Sequence, residues 1–170
     1  ITQNNLLQLI INNFNMSNIS AANIKLLREK TGAGMMDCKK ALVENEGDIE
    51  KSVNWLRKKG IAKAEKKSSR IAAEGLIGFK NNNNLSILVE INSETDFVSK
   101  NLDFQKFLEN VLNIGIKDKF NVNALLEQRY SDSETVSEAL QNLIAKIGEN
   151  IVIRRLVYLD KPDDLSIFGY

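Results

Sequence analysis

Histidine is absent from this chain of 170 residues, and there is one cysteine, Cys38. A structural zinc site needs about four Cys, His or carboxylate ligands, so we expect no metal site. Nucleophile systems that pair serine or cysteine with histidine are excluded because both require an imidazole. A single cysteine cannot form a disulfide within the chain, and it fits a reducing compartment. The sequence offers no catalytic set, so we expect neither an enzyme nor a resident cofactor.

Long apolar runs and a strong net charge are also lacking. No apolar stretch approaches the ~18–20 residues that a bilayer-spanning helix needs. The formal net charge is +1, which favours neither nucleic acid nor a membrane as a partner. Residues 1–72 carry 13 Lys/Arg against 7 Asp/Glu, whereas residues 73–170 carry 10 against 15. This uneven charge predicts two modules that meet near residue 72.

The first module has the apolar spacing of short helices. Ser20 is a candidate N-cap for a helix that ends at Thr31-Gly32. A second helix is predicted over residues 35–43, and a third is predicted to begin after Asp48 and to end at Gly60. Three short helices predict a small bundle that is marginally stable by itself.

In the second module the apolar period changes to two. Residues 75–79 and 85–91 are predicted to form a hairpin across the asparagines at 81–84. The other predicted elements are three helices and a strand: one helix from a Ser93–Asp96 capping box, helices over 125–128 and 134–147, and a strand over 151–158. Strands at both ends with helices between them predict an α+β fold, a small antiparallel sheet packed on helices.

Four segments summarise the predicted organisation. Residues 1–17 are interpreted as a leader or non-native extension, since Met16 resembles a natural start. The three-helix domain covers 18–60, a basic linker covers 61–72, and the α+β core covers 73–170.

Met35 and Met36 are the first candidate contact residues. Neighbouring positions on a helix point about 100° apart, so a small core cannot enclose both side chains. An exposed methionine is a flexible, polarizable contact for a partner groove. The alternative is that both methionines cover the core of their own bundle.

Thr95, Asp96, Phe97 and Val98 form the second candidate stretch, at the junction between a predicted strand and a predicted helix. A junction can direct a large side chain away from its own core. The alternative is that Phe97 is a core residue and that Asp96 stabilises the start of the helix. Phe104 and Phe107 already supply the core face of the following helix, which favours an exposed Phe97.

The basic residues between Arg57 and Arg70 could contact nucleic-acid phosphates. Apart from Trp55 there are no aromatic residues among them, and no nucleic-acid motif is present. Solvation of a helix end and a linker is the preferred interpretation.

In sequence, several stretches resemble the elongation factor Ts family. Leu27–Leu42 (LREKTGAGMMDCKKAL) is similar to the family's N-terminal signature, and Thr95–Val98 is similar to its core signature. Gly47–Glu50 fits as well, and Lys146–Ile151 followed by Arg154-Arg155 is similar to a third block. The similarity runs in order from about Asn18 to Tyr170.

The resemblance implies a ubiquitin-associated-like three-helix domain followed by the first half of the family's α+β core. It implies that the chain works in protein biosynthesis as a guanine-nucleotide exchange factor for elongation factor Tu. Thr95, Asp96, Phe97 and Val98 would then act near the Mg²⁺ and phosphates of that GTPase. Leu27, Met35, Met36 and Lys39 would bind a helix of its nucleotide domain. Typical members continue with a second core half, to which the resemblance ties dimerisation.

We therefore expect a non-enzymatic translation factor whose partner is elongation factor Tu, with no direct contact to nucleic acid or membrane. Its expected location is the bacterial cytoplasm or an organelle matrix. The alternative is a stand-alone ubiquitin-associated-like module that binds a helix or a nascent chain without exchange activity. Such a module needs the three helices but has no need of Thr95–Val98.

Overall fold

The computed structural model describes residues 19–82 and 84–160, which form two compact units. The first unit extends to Ala62 and is helical, and the second begins at Lys63 and combines a three-stranded sheet with helices. The predicted α+β fold is thereby confirmed. The predicted leader, residues 1–17, lies outside the described residues, as do residues 161–170.

Three helices build the first unit: α1 (Ala21–Thr31), α2 (Met35–Glu44) and α3 (Ile49–Glu65), the last of which continues past Ala62 into the first residues of the second unit. The Ser20 side chain accepts a hydrogen bond from the Asn23 N–H at 3.1 Å, so the predicted N-cap is confirmed. Helix α1 ends where Gly32 adopts a left-handed φ of 65° and its N–H donates to the Arg28 carbonyl. These local caps explain why both ends of α1 can be predicted from the sequence.

The core of the helical unit is small. Its buried residues come from all three helices: Leu27, Cys38, Ala41, Leu42 and Leu56. The prediction that α3 ends at Gly60 is wrong, because the helix continues to Glu65. Glycine within a helix costs about 1 kcal/mol relative to alanine. Past Gly60, Ala64 is buried in the apolar cluster of the second unit.

The sheet of the second unit contains β1 (Glu74–Asn81), β2 (Leu85–Ser93) and β3 (Ile151–Asp160), antiparallel in the order β1-β2-β3. The central strand places Ile87, Val89 and Ile91 in the core, where all three are fully buried. The strand that closes the sheet arrives about 60 residues later in the chain. The pairing of β2 with β3 therefore joins segments that are far apart in the sequence.

The helices of the second unit are α4 (Leu102–Gly115), α5 (Val122–Leu126) and α6 (Val136–Ile147), and a 3-10 helix covers Asp96–Lys100. Helix α4 lies close to β1 at Gly78, where an added Cβ would be 2.7 Å from Leu112 Cδ1. Helix α6 begins with a capping box between Thr135 and Glu138. The predicted helix over 125–128 is displaced toward the N-terminus, because Asn121 caps α5 at its start.

Candidate protein-binding site

The Thr95–Val98 stretch lies between the end of β2 and the start of α4. The predicted capping box of Ser93 and Asp96 is wrong, because the Ser93 hydroxyl donates to the Thr95 carbonyl at 2.9 Å and leaves the helix start uncapped. Helix α4 is capped instead by Asn101, whose side chain accepts from the N–H groups of Asp103 and Phe104. The stretch is consequently a short 3-10 turn that separates strand from helix.

Phe97 points away from the core of its own unit. Its side chain is 75% exposed, and Asp96 beside it is exposed as well. The alternative that Phe97 is a core residue is therefore excluded. Phe104 and Phe107 are buried in that core, as their spacing in the sequence predicted.

Val98 differs from its neighbours because it is 4% exposed and belongs to the apolar core. A buried side chain cannot contact a partner in this conformation, so the predicted contact role of Val98 requires correction. Val98 anchors the turn, and the anchor fixes the direction in which Phe97 projects. The candidate contact surface on this turn is reduced to Asp96 and Phe97.

Leu102 extends this surface and was missed in the sequence analysis. It is the first residue of α4 and its side chain is 70% exposed. Leu102 precedes Phe104 by two residues and so points about 200° around the helix from that buried ring. This position outside the apolar stripe of α4 was a signal in the sequence that could have identified Leu102.

The backbone of the turn is held by hydrogen bonds. The Thr95 N–H and hydroxyl both donate to the Glu149 carboxylate, at 2.9 Å and 2.7 Å. The Ser99 hydroxyl donates to the Asp96 carbonyl at 2.6 Å, and the Asn101 N–H donates to the Val98 carbonyl at 2.9 Å. These hydrogen bonds hold the backbone on both sides of Phe97, so the turn presents that side chain from a defined position.

The helical unit has its own exposed apolar pair. The first residues of α2, Met35 and Met36, are 60% and 75% exposed, so the alternative that both cover the bundle core is excluded. Lys39 is exposed on the same helix. Leu27 is fully buried in the bundle core, which corrects its predicted role as a direct contact. Its burial supports the helices that carry the methionines.

Cys38 lies one turn after the methionines and is fully buried. Burial raises the pKa of the Cys38 thiol above its ordinary value. Its Sγ donates to the Ala33 carbonyl at 3.6 Å, directly before α2. A protonated, enclosed thiol is a packing group rather than a nucleophile.

Part of the basic run is paired within the helical unit. Lys59 Nζ lies 2.6 Å from an Asp37 carboxylate oxygen and 4.9 Å from the centroid of the Trp55 ring. Arg57, Lys58 and Lys66 are exposed on and beyond α3. This distribution fits a solvated helix end, the interpretation preferred in the sequence analysis.

The described residues contain no group of three or more metal-ligating side chains placed to hold an ion. Across residues 19–82 and 84–160, no helix has the length and apolar character needed to span a bilayer. Exposed methionine and aromatic side chains at helix starts, supported by buried neighbours, are typical of proteins that bind other proteins.

Comparisons with known sequences agree with this class of protein. The family described as Elongation factor TS matches residues 94–170. The curated elongation factor Ts of Methylobacterium sp. (strain 4-46) is 52% identical over 145 residues, which cover 85% of this chain and 47% of the relative. That of Rhizobium etli (strain CIAT 652) is 50% identical over 149 residues, 87% of this chain and 48% of the relative.

The elongation factor Ts of Sphingopyxis alaskensis is also 52% identical, over 145 residues that cover 85% of this chain and 47% of the relative. The resemblance to the elongation factor Ts family that was drawn from the signatures is confirmed by these matches. It corresponds to the N-terminal portion of these relatives and spans about half of their length.

Proposed function

We propose that the chain binds elongation factor Tu carrying GDP and promotes the release of that nucleotide during translation. The observation that carries the proposal is the exposure of Phe97 on a hydrogen-bonded turn beside Asp96. The proposal places the chain where elongation factor Tu works, in the bacterial cytoplasm or an organelle matrix. The bacterial sources of the similar sequences support this location.

The energetics favour Phe97 as a contact residue. Burying a phenylalanine side chain contributes about 1.5–3 kcal/mol relative to leaving it in water. Because three-quarters of this side chain is exposed, most of that free energy is gained only when a partner covers it. Asp96 adds a negative charge next to the ring. In the proposed complex the ring inserts between elements of the GTPase and displaces the groups that hold Mg²⁺.

Release of GDP then follows from linkage. If the chain and GDP each weaken the binding of the other to the GTPase, the two effects are equal in free energy. Mg²⁺ bridges the nucleotide phosphates and the GTPase, so displacing it lowers the affinity for GDP. No covalent bond forms or breaks, and this chain is required only to bind. The proposed activity is therefore exchange rather than chemical catalysis.

The helical unit supplies the second proposed contact through Met35, Met36 and Lys39. Methionine side chains adapt to an apolar groove, and the lysine ammonium suits an acidic rim. Two linked contacts raise the effective concentration of each at its own site. The helical unit would thus hold the GTPase while Phe97 acts at the nucleotide site.

One observation favours a second candidate function, which is binding of a helix or nascent chain without exchange. The helical unit has its own buried core and exposes its methionines independently of the sheet. That function needs only the helical unit. Binding that survives the loss of Phe97, with no effect on GDP release, would support it.

The test measures release of a fluorescent GDP analogue from elongation factor Tu, with the chain or its Phe97→Ala variant. We expect the chain to accelerate release. The acceleration by the variant should be about tenfold smaller, since the aromatic contact that the proposed complex buries is removed. The free energy of unfolding should change by less than about 0.5 kcal/mol because the side chain is exposed.

Ile77→Ala is the matched control, since Ile77 is another exposed apolar residue of the same unit and lies on the sheet. Its acceleration should equal that of the unmodified chain. If Phe97→Ala and Ile77→Ala lost the same amount of acceleration, any exposed apolar side chain could account for the effect. That result would contradict the proposal. Absence of acceleration by the unmodified chain would contradict it directly.

A further inference from the structure

Two junctions far apart in sequence bind each other through reciprocal carboxylate contacts. Glu149, after α6, accepts both hydrogen bonds of Thr95, while Glu94, before Thr95, accepts from the N–H of Asn150 at 2.5 Å. Asn150 Nδ2 also donates to the Arg70 carbonyl at 2.7 Å. We call the paired segments 94–95 and 149–150 the clasp.

We propose that Glu149 is a positioning residue that, through Thr95, holds Asp96 and Phe97 in the orientation that acts on the partner. This inference rests on the proposed function and adds a residue that acts through Thr95. Its physical basis is preorganisation, because a contact residue already fixed in its bound orientation loses less conformational entropy on binding.

The clasp lies directly beside the exposed residues Asp96 and Phe97. Thr95 is the residue directly before the exposed pair, and Val98 is the buried residue directly after it. The two exposed residues are thus fixed at both ends, by Glu149 on one side and by the apolar core on the other. Without Glu149, the Thr95 N–H and hydroxyl would lose their acceptor, and the pair would be fixed by Val98 in the core and by the hydrogen bond of Ser99 to Asp96.

The negative charge of Glu149 does not stabilise the helix that it follows. Helix α6 ends at Ile147 with Gly148 as its C-cap, and the C-terminus of a helix carries a partial negative charge that repels a carboxylate. A residue chosen for the stability of α6 would be neutral or basic at this position. The two charge-assisted hydrogen bonds from Thr95 compensate for this repulsion.

The first measurement is hydrogen exchange of the Thr95 amide in the free chain. We expect Glu149→Ala to speed exchange at least tenfold, because its acceptor is removed. Glu149→Gln should keep most of the protection, since its amide oxygen can still accept from the Thr95 N–H. Glu109→Ala should leave it unchanged, since Glu109 is exposed and has no ion pair or side-chain hydrogen bond within the described part of the chain.

The second measurement is GDP release from elongation factor Tu over a range of chain concentrations. Glu149→Ala should lower the maximal release rate about tenfold, the effect of losing a charge-assisted contact. Glu149→Gln should restore most of the rate, and Glu109→Ala should match the unmodified chain. Thr95→Val removes the hydroxyl contact alone and should give a smaller loss, which keeps the test available if Glu149→Ala does not fold.

Unchanged exchange of the Thr95 amide in Glu149→Ala would overturn the proposal, as would a release rate equal to that of Glu109→Ala. A loss in Glu149→Ala that follows global unfolding, with no loss in Thr95→Val, would also overturn it. If the unmodified chain does not release GDP, the proposed function fails. The amide measurement separates the two failures because it needs no partner.

Discussion

The two units of this chain expose apolar side chains in similar positions but support them differently. In each unit the exposed residues lie in the first turn of a helix and precede a buried anchor, Cys38 after the methionines and Val98 after Phe97. The helical unit buries 5 residues in its core, whereas the core of the α+β unit contains 18 among the described residues. The larger core can hold its contact turn more rigidly.

The two units also differ in the hydrogen bonds that hold their exposed residues. The turn at Phe97 is held by a carboxylate and several backbone partners, whereas α2 follows Gly34 without a side-chain cap. Methionine is flexible and phenylalanine is stiff. We infer an adaptable contact on the helical unit and a rigid one on the α+β unit, which matches the proposed roles of holding the partner and of acting on its nucleotide site.

The largest expected effect tests whether the two cores are independent. Leu42→Ala should lower the stability of the helical unit by about 3 kcal/mol, because it leaves a cavity in a core of few residues. The α+β unit should remain folded. Fluorescence of Trp55 reports on the helical unit, and amide exchange in β2 reports on the sheet.

Leu26→Ala is the control, since Leu26 is partly exposed on α1 and its truncation should cost less than about 0.5 kcal/mol. Loss of protection in β2 upon Leu42→Ala would show that the units unfold together. That result would remove the basis of the comparison.

A smaller effect is expected from Met36→Ala. The affinity for elongation factor Tu should fall by about 1 kcal/mol, since an exposed apolar contact is shortened. The maximal rate of GDP release should stay the same, unlike the loss expected for Phe97→Ala. Titration of the release rate against chain concentration separates the two parameters.

An equal fall in maximal rate for Met36→Ala and Phe97→Ala would contradict the assignment of holding to one unit and action to the other. Lys58→Ala is a suitable control because Lys58 is exposed on α3, a different helix from the one that carries Met35 and Met36.

The smallest expected effect is a difference in pH dependence between the units. Burial raises the pKa of Cys38 above its ordinary 9.0, so its stabilising contribution is present below pH 9 and is lost as the pH rises through the raised value. Hydrogen bonds from Asn92 and Arg155 lower the pKa of Glu90 below its ordinary 4.5. Its contribution is present above that pH and is lost as the pH falls through the lowered value.

The helical unit should therefore lose stability above about pH 9, and the α+β unit should lose it in acid. Burial also raises the pKa values of Tyr130 and Tyr158 above their ordinary 10.0, so an alkaline loss in the α+β unit should begin at a higher pH than in the helical unit. Denaturant unfolding between pH 3 and pH 10.5, followed by Trp55 fluorescence and by sheet circular dichroism, measures both trends. Cys38→Ala and Glu90→Gln should each flatten one trend and leave the other. Loss of both trends in either variant would show that other groups control the titration.

Local signals in the sequence predicted much of the fold. The Ser20 cap, the Gly32 end of α1 and the alternation in β2 depend on neighbouring residues, so each could be predicted. The sequence argument predicted that at least one of Met35 and Met36 is exposed, and it favoured an exposed Phe97; all three are exposed. Two large side chains on adjacent helical positions, or three phenylalanines near one small core, exceed the space available.

The sequence by itself determined the fold class, the caps and the residues that compete for a place in each core. Only the tertiary structure decided that Leu27 and Val98 are enclosed and that α3 continues past Gly60. It also decided that Glu149 meets Thr95 across 54 positions of the chain. Burial and carboxylate contacts of this kind depend on how distant elements pack, and periodicity within one element carries no information about that packing.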